Sequence, residues 1–404
     1  MPTKFRVAIY LGLIAAWISI DSSFTQEKRP IVLDRAPVRV VQDPYPTFNG
    51  IAMDSDRGEV IMADDNRSSL LAYDVEFEPS DKITEERREV SGPKTHLGYI
   101  CTLAISPEHN EIYTVDNDWK DNMTVYPLDG KGEVAPIREL NVDHGAWGIF
   151  LDRKNDEMFV TTEHVNKISV YRRTANGDDD SLRYIQGTRT GLADPHGIYV
   201  DNESNEIFVT NHGHWRETKP GEGGTLFWGK RAAVRGQRTG GTAPPAASTG
   251  KFLPPSITIY SRTASGDVAP LRTIQGPNTK LNWPLGIYLD PVNGELAVAN
   301  SGDNSILFFD KNANGDVAPA RVIKGLATAI DGPSGVLADA KRKELWVTSW
   351  NTHIATVYPL NAQGNVAPTR VIRSAPQGTP ATAGLGNPGA VAYDPKRKEI
   401  LVPN

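Results

Sequence analysis

An all-β fold is predicted by three observations. First, a Gly-Ile-x-x-Asp segment, or a close variant, is followed five residues later by a glutamate that opens a second apolar run. Second, this pattern recurs along the chain, at Asp54/Glu59, Ser106/Glu111 (where serine replaces the aspartate), Asp152/Glu157, Asp201/Glu206, Asp290/Glu295, Asp339/Glu344 and Asp394/Glu399. Third, no stretch beyond the N-terminus has a helical period of useful length. A recurring motif without helices predicts stacked antiparallel sheets.

The clearest copy of the repeat runs from Pro284 to Gly325. It contains four short β-rich runs, at 286–290, 295–299, 305–309 and 320–323, separated by Asp, Asn, Gly and Pro. Such a unit is typical of a four-stranded antiparallel meander. Because both of its faces are apolar, it needs a neighbour on each side, and units arranged around an axis satisfy this. The sequence therefore predicts a β-propeller.

The ends of the chain predict the number of blades. The last copy, 388–404, supplies only two strands, and segments 31–34 and 36–41 match the third and fourth strands of other copies. We therefore predict seven blades, starting near 47, 100, 146, 195, 284, 333 and 388, with the last blade closed by two N-terminal and two C-terminal strands. Six blades are the alternative, if the irregular second copy is not a blade.

Composition and the N-terminus bound the cellular setting. Lys4 and Arg6 precede an apolar stretch from Val7 to Ile20, which predicts a signal peptide at 1–25 and one propeller domain at 31–404. We therefore expect an exported protein, periplasmic or extracellular, with no membrane span in the mature chain unless the signal stays uncleaved. The net charge of −6 without a basic stripe argues against nucleic acid as a partner. A single cysteine excludes an intramolecular disulfide.

Most recurrent polar residues are predicted to be architectural. Turns such as Gly315-Asp316-Val317-Ala318-Pro319 recur between third and fourth strands, and an arginine follows each of them, at positions that the repeated acids can reach. These arginines are Arg39, Arg138, Arg183, Arg272, Arg321 and Arg370. One turn, with Asp310, Asn312 and Asn314, has the spacing of half a calcium loop. It lacks the distal glutamate of such loops, which favours a solvated turn over a calcium site.

The copies of the repeat differ in sequence in the loops before first strands and after second strands. These two sets of loops lie on the same face of a propeller. Seven of the eight histidines map there: His96, His144, His164, His196, His212, His214 and His353. Imidazoles converging on a channel mouth are able to hold a divalent metal ion, for which His144, His164, His196, His212 and His214 are the candidates. Histidines that merely occupy loops are the alternative. The predicted binding face comprises Asn49, Cys101, Trp147, Glu163, His196, Asn211 and Ser334.

Blade four also carries an insertion, at about 215–254. It contains seven basic residues among many Gly, Pro, Ala and Ser residues and has only one apolar cluster, Leu226-Phe227-Trp228. This composition predicts a flexible segment that packs no core. Its position over the histidine-rich face is that of a lid or a partner-binding arm, and a tolerated surface insertion explains it equally well.

The Pro-x-Gly-Ile-x-x-Asp unit, as in Pro195–Asn211 and Pro284–Phe309, resembles the NHL and YVTN-type repeats of bacterial exported propellers. The resemblance covers 31–404 and implies the fold; related propellers include binding scaffolds, sugar lactonases and metal-dependent lyases. We expect an exported binding or scaffold module that engages a small-molecule ligand or a protein partner through the histidine-rich face. The alternative is a metal-dependent lyase or lactonase-type hydrolase at the channel mouth. Whether the chain is an enzyme stays open at this stage.

Overall fold

The structure is a computed structural model that describes residues 43–80, 82–117, 120–213 and 253–381, and beyond them only 392–394, 396 and 399–401. These residues form six four-stranded antiparallel sheets and one two-stranded sheet. The strands are β1 Phe48–Asp54, β2 Glu59–Asp64, β3 Ser69–Asp74, β4 Arg88–Val90; β5 Ile100–Ser106, β6 Glu111–Asp116, β7 Asn122–Pro127, β8 Arg138–Asn141; β9 Ala146–Asp152, β10 Glu157–Thr162, β11 Lys167–Arg172, β12 Arg183–Ile185; β13 Pro195–Asp201, β14 Glu206–Asn211, β15 Ser256–Ser261, β16 Arg272–Gln275; β17 Pro284–Asp290, β18 Glu295–Asn300, β19 Ser305–Asp310, β20 Arg321–Lys324; β21 Pro333–Asp339, β22 Glu344–Ser349, β23 Ile354–Pro359, β24 Arg370–Arg373; and β25 Ala392–Asp394, β26 Glu399–Leu401. Short 3-10 helices span Pro93–Thr95, Pro107–His109, Pro277–Thr279, Ser301–Asp303 and Leu326–Thr328.

The repeated aspartate and glutamate define the first hairpin of each sheet. In β17 and β18, Asp290 pairs with Glu295 as the last pair of the register. The carboxylate of Asp290 accepts hydrogen bonds from the backbone of Val292 at 2.9 Å and from the amide of Asn293 at 2.6 Å. An aspartate that bonds its own turn is a common way to fix a tight connection. Equivalent bonds from the turn to the aspartate form at Asp54, Asp152, Asp201 and Asp339, so the motif recurs because these blades share one turn.

The six sheets are the blades of a closed ring. Six apolar clusters form the core, and each lies between two neighbouring blades. One of them joins the last four-stranded sheet to the first, with Trp346 and Val357 packed with Phe48 and Val60. The all-β propeller prediction is thereby confirmed, with six blades as in the predicted alternative.

The prediction of seven blades is wrong, because blade 6 contacts blade 1 directly. The hydroxyl groups of Ser334 and Thr348 donate to the backbone carbonyl of Asn49, at 2.8 Å and 2.7 Å. The irregular second copy is a complete blade, β5–β8. The last copy instead forms the separate hairpin β25–β26. The segments 31–34 and 36–41, which were predicted to close the ring, lie outside the described residues, as does Arg39.

The repeated arginines form the predicted pairs with the repeated glutamates. Arg272 is typical: its guanidinium donates to both oxygens of Glu206, at 2.6 Å and 3.0 Å, and to the carbonyl of Lys311 in the next blade at 3.0 Å. The predicted pairing also holds for Arg138–Glu111, Arg183–Glu157, Arg321–Glu295 and Arg370–Glu344. In blade 1 the same pair is Arg88–Glu59, although Arg88 was not among the predicted arginines. A contact that is present in every blade is architectural. The candidates for function are therefore the residues at which one blade differs from the others.

Two predicted segments fall largely outside the structure. Residues 1–25 are not among those described, and of the insertion at 215–254 only Leu253 and Pro254 are. The insertion connects β14 to β15, which pair in full register from Glu206↔Ser261 to Asn211↔Ser256. Among the described residues, no helix is long and apolar enough to cross a membrane.

Candidate functional site

The site lies on the face where second strands end and first strands begin, which we call the channel-mouth face. In each blade, the backbone N–H of the residue after the second strand donates to the carbonyl of the residue before the first strand. We call the six donors the rim residues: Asp65, Asn117, Glu163, His212, Ser301 and Trp350. Their carbonyl partners are Thr47, Tyr99, Gly145, Asp194, Trp283 and Gly332. Because the backbone contact is the same in every blade, side chains at these positions are directly comparable.

Glu163, the rim residue of blade 3, is the centre of the histidine cluster. Its two carboxylate oxygens lie 3.0 Å from Nε2 of His164 and 3.0 Å from Nε2 of His196. The amide of Asn117, the rim residue of blade 2, donates to the same carboxylate at 2.9 Å. We use the name histidine cluster for His144, Glu163, His164, Asp194, His196 and His212.

His196 is held as a cation by its surroundings. Its Nδ1 atom lies 2.9 Å from the carbonyl oxygen of Asp194, which only accepts, and its Nε2 atom faces the Glu163 carboxylate. Both ring nitrogens therefore donate. Burial lowers the pKa of His196, but the hydrogen bond and charge of Glu163 outweigh it and raise the pKa above its usual value. Burial likewise raises the pKa of Glu163, yet His164 and His196 hold it well below its usual range.

His212 has the opposite character. Its ring stacks on His196, with centroids 3.5 Å apart, and on Trp283 at 5.3 Å. Burial and the charge of His196 lower the pKa of His212 to about 4, so the ring is neutral at pH 7. Nδ1 faces the carboxylate of Asp194 at 3.6 Å. Nε2 is buried and has no hydrogen-bond partner among the residues that the structure describes.

The remaining histidines complete the cluster. The His144 and His164 rings lie 5.0 Å apart, and Nδ1 of His144 is 2.7 Å from the carboxylate of Asp121. Gly145 lies between them with φ +83°, and an added Cβ would lie 2.6 Å from Nδ1 of His164. Glycine is thus required at this position both by backbone conformation and by space. The structure brings together four of the five predicted metal ligands, and His214 lies outside the described residues.

The predicted binding-face residues divide into two groups. Asn49, Cys101, Trp147, His196 and Ser334 are each the second residue of a first strand, and the ring of Trp147 packs against that of His196 at 4.5 Å. Asn211 instead holds its loop, with its amide bonded to Thr258 and its carbonyl to the backbone of Ala193. Ser334 closes the ring through Asn49, as described above. Two of the seven predicted residues therefore have architectural contacts that account for them.

Two histidines of this face lie in contacts apart from the cluster. His353 is buried, with Nε2 2.9 Å from Asp43 and Nδ1 2.7 Å from the carbonyl of Pro46. These contacts tie the segment before β1 to blade 6. His96 is half exposed and pairs with Glu139 at 2.8 Å.

Two residues of the site were not predicted, Asp194 and Trp283. Each directly precedes the proline that opens a first strand, and each has a positive φ, +57° and +50°. The equivalent positions in blades 3 and 6 are Gly145 and Gly332, which adopt positive φ without strain. A bulky residue in this conformation is unusual and often marks a functional site. Comparing the copies one residue upstream of the motif would have revealed this signal.

Asp194, His196 and His212 have potential metal-ligand atoms within 4.8 Å of one another. These ligand types suit zinc or copper. However, the rings of His196 and His212 are stacked with planes only 18° apart, so their in-plane lone pairs run side by side and do not converge on one point. Both nitrogens of His196 are also engaged as donors. As arranged, these three residues do not fit a divalent ion.

The predicted calcium turn has a structural explanation that needs no ion. Asp310 accepts from the backbone N–H of Asn312 at 2.7 Å, and the Asn314 side chain accepts from the backbone of Thr273 at 3.1 Å. A cavity of about 780 Å³ lies nearby, on the face opposite the channel mouth, lined by residues such as Asp290, Arg321 and Lys343. Because it is far from the histidine cluster in the ring, its size does not bear on the candidate site.

The low pKa of His212 gives a testable pH dependence of stability. The folded pKa of about 4 lies below the unfolded value of about 6.5. The unfolded chain therefore binds the extra proton between these values, so the contribution of His212 to stability is lost as the pH falls below 6.5. From pH 7 to pH 5, we expect wild type to lose about 2 kcal/mol of unfolding free energy relative to His212→Gln. Urea denaturation of both proteins across this range measures it; a constant difference would contradict the assignment.

No protein-family model matches the sequence, and no curated protein matches it. Among solved structures, a chain of hydrazine synthase from Kuenenia stuttgartiensis is similar with a TM-score of 0.50 and 14% identity, over 80% of this chain and 99% of that one. A functionally unknown protein from Desulfotomaculum acetoxidans DSM 771 has a TM-score of 0.49 and 14% identity, over 80% and 85%. At this identity the likeness shows the propeller fold alone. The resemblance to NHL-type repeats is not confirmed and stays a prediction.

Proposed function

We propose that the protein is a binding module that holds a small ligand on the channel-mouth face, against His212 and Trp283. The observation that carries the proposal is Nε2 of His212, a buried acceptor without a partner among the described residues. Buried polar atoms are almost always paired. An O–H or N–H group of a ligand would supply the missing donor. The indole of Trp283, which is 51% exposed, offers a flat apolar surface beside it.

The charges of the cluster support binding over proton-transfer chemistry. A general base needs a free lone pair and a pKa near the working pH. His196 has no free nitrogen, because it donates to Glu163 and to the carbonyl of Asp194. His212 has a free nitrogen, but its pKa of about 4 makes it a weak base at pH 7. A neutral acceptor held rigidly between two rings is suited to receiving a hydrogen bond.

A small ligand fits these features better than a macromolecule. Because Nε2 of His212 is buried, a broad macromolecular surface would not bring a donor close to it. Small-molecule sites typically combine an apolar or aromatic wall with a few fixed polar groups. Export, predicted from residues 1–25, is part of this proposal.

The test is a ligand-observed NMR screen against a panel of neutral, cationic and anionic small molecules. We expect hits with wild type that bind at least tenfold more weakly to His212→Phe, which keeps a flat ring but removes the acceptor. The matched control is His109→Phe, on the opposite face, where the exposed ring is hydrogen-bonded to Ser106 and lies 3.9 Å from Glu108. Hits should bind this control as they bind wild type.

Two outcomes would overturn the proposal. If no compound binds, or hits bind His212→Phe as tightly as wild type, His212 is not a ligand-binding residue. Calorimetric titration with ZnCl₂ addresses the metal-dependent alternative. One zinc ion per chain, lost in His212→Phe, without any organic ligand, would favour that alternative.

A further inference from the structure

Among the rim residues and the second residues of the first strands, four buried polar atoms have no hydrogen-bond partner within the described part of the chain. They are Nδ2 of Asn49, Oδ1 of Asp65, Oδ1 of Asn117 and Nε2 of His212. Asn49, Asp65 and Asn117 are 2%, 5% and 1% exposed. Asp65, Asn117 and His212 are rim residues of blades 1, 2 and 4, and Asn49 is the second residue of β1. We call these four residues the polar arc.

The other blades provide an internal comparison for the polar arc. The rim residues of blades 5 and 6 are Ser301 and Trp350, and the second residues of their first strands are Leu285 and Ser334. No side-chain atom of these four residues is buried without a partner. The hydroxyl of Ser334 donates to the carbonyl of Asn49, and Leu285 has no polar side-chain atom. The backbone of a blade therefore does not require an open polar atom at these positions.

The open atoms of the arc include both hydrogen-bond donors and acceptors. Nδ2 of Asn49 donates, whereas Oδ1 of Asn117 and Nε2 of the neutral His212 accept. Burial, with the nearby charge of Asp64, raises the pKa of Asp65 well above its usual value, which favours the neutral form of this carboxyl group. The charged pair at the same mouth, Glu163 and His196, is already mutually neutralised at 3.0 Å.

We propose that the polar arc binds an uncharged, hydroxyl-rich ligand of the carbohydrate or polyol class at the channel mouth. A hydroxyl group both donates and accepts, so a set of them is able to satisfy donors and acceptors alike, which a purely anionic or cationic group cannot do. The exposed indole of Trp283 would cover an apolar face of such a ligand. This inference rests on the proposed function and names the ligand class for the same face.

A glycan array with neutral, acidic and amino sugars tests this ligand class. We expect labelled wild-type protein to bind neutral glycans, and Asn49→Leu to lower that binding at least tenfold. The matched control is Ser301→Ala, at a rim position of blade 5, which should bind as wild type does. Because leucine replaces an amide without a partner, thermal melting of Asn49→Leu should show a folded protein whose Tm is not lowered.

The outcomes separate this inference from the proposed function. Two results would overturn the ligand class and leave the proposed function standing. One is binding of acidic or amino sugars only. The other is no glycan binding together with a His212-dependent hit in the small-molecule screen. Unchanged glycan binding by Asn49→Leu, with a higher Tm, would mean that Asn49 faces only water, and it would overturn the arc as a ligand site. Absence of hits in both experiments would overturn both proposals.

Discussion

Glu163→Gln is expected to lower the free energy of unfolding by about 3 to 5 kcal/mol at pH 7, because it removes one partner of a buried ion pair. Glu163 is the only carboxylate within 3.0 Å of a His196 nitrogen among the described residues, and His196 is 2% exposed. The amide would leave the imidazolium without its counter-charge. It would also direct an N–H group towards His164 or His196, both of which face the present carboxylate with Nε2. Urea denaturation followed by circular dichroism measures the loss.

Glu139→Gln provides the matched control. Glu139 pairs with His96 at 2.8 Å, but both side chains are exposed, 36% and 49%. Exposed ion pairs contribute about 0 to 1 kcal/mol, so this variant should lose no more than that. Equal losses in the two variants would contradict the assignment of a buried, fixed pair at Glu163.

Glu163→Gln also reaches the proposed binding site, through His196. Without the Glu163 carboxylate, the main cause of the raised pKa of His196 disappears. The positive charge of His196 is in turn one cause of the lowered pKa of His212. The charge of Glu163 itself raises the pKa of His212, but its effect is smaller than the lowering by His196. We therefore expect the pKa of His212 in this variant to move up from about 4, towards its usual value. NMR titration of the His212 ring against pH, in wild type and variant, would detect the change.

The fold was predictable because each copy of the repeat carries its turn and pairing residues within one blade. The turn at Asp290 and the arginine pair at Glu206 use residues close in sequence or fixed within one blade, so each copy displays them. The number of blades was not predictable in this way, because copies of a motif do not reveal which of them meet in space. The contact that closes the ring joins Asn49 to Ser334 and Thr348. These residues lie in the first and last blades, far apart in sequence, so no local sequence pattern predicts the contact.

The site was predictable only in part, for a similar reason. Position within the repeat indicated that His164, His196 and His212 share a face, and it singled out Glu163. It gave no protonation states, which follow from contacts between blades: the same residue type is a cation at His196 and neutral at His212. The stacking of His212 on Trp283 depends on the packing of blade 4 against blade 5. A comparison of repeat copies along the sequence does not show which side chains from different blades are in contact.

The same contacts between blades make Gly197→Val a strongly destabilising substitution, by about 3 kcal/mol or more. A Cβ atom at Gly197 would overlap the carbonyl oxygen of Leu285 in blade 5 and lie 3.0 Å from the hydroxyl of Thr210. That hydroxyl accepts from the backbone N–H of Gly197 at 2.8 Å and donates to the same carbonyl of Leu285 at 2.5 Å. Because the clash is with backbone held in a ring, neither blade is able to move away without breaking this link.

Thr102→Val is the matched control, since it puts the same side chain at the equivalent position of blade 2. There the native residue is already β-branched and half-buried, so we expect a change below about 1 kcal/mol. Gly197 directly follows His196, and a shift of β13 would also displace His196 from Glu163. We therefore expect Gly197→Val to weaken the binding of any His212-dependent ligand, whereas Thr102→Val should leave it unchanged. If the two variants are equally stable, then β13 of blade 4 does not lie as close to β17 of blade 5 as the predicted clash with the Leu285 carbonyl requires.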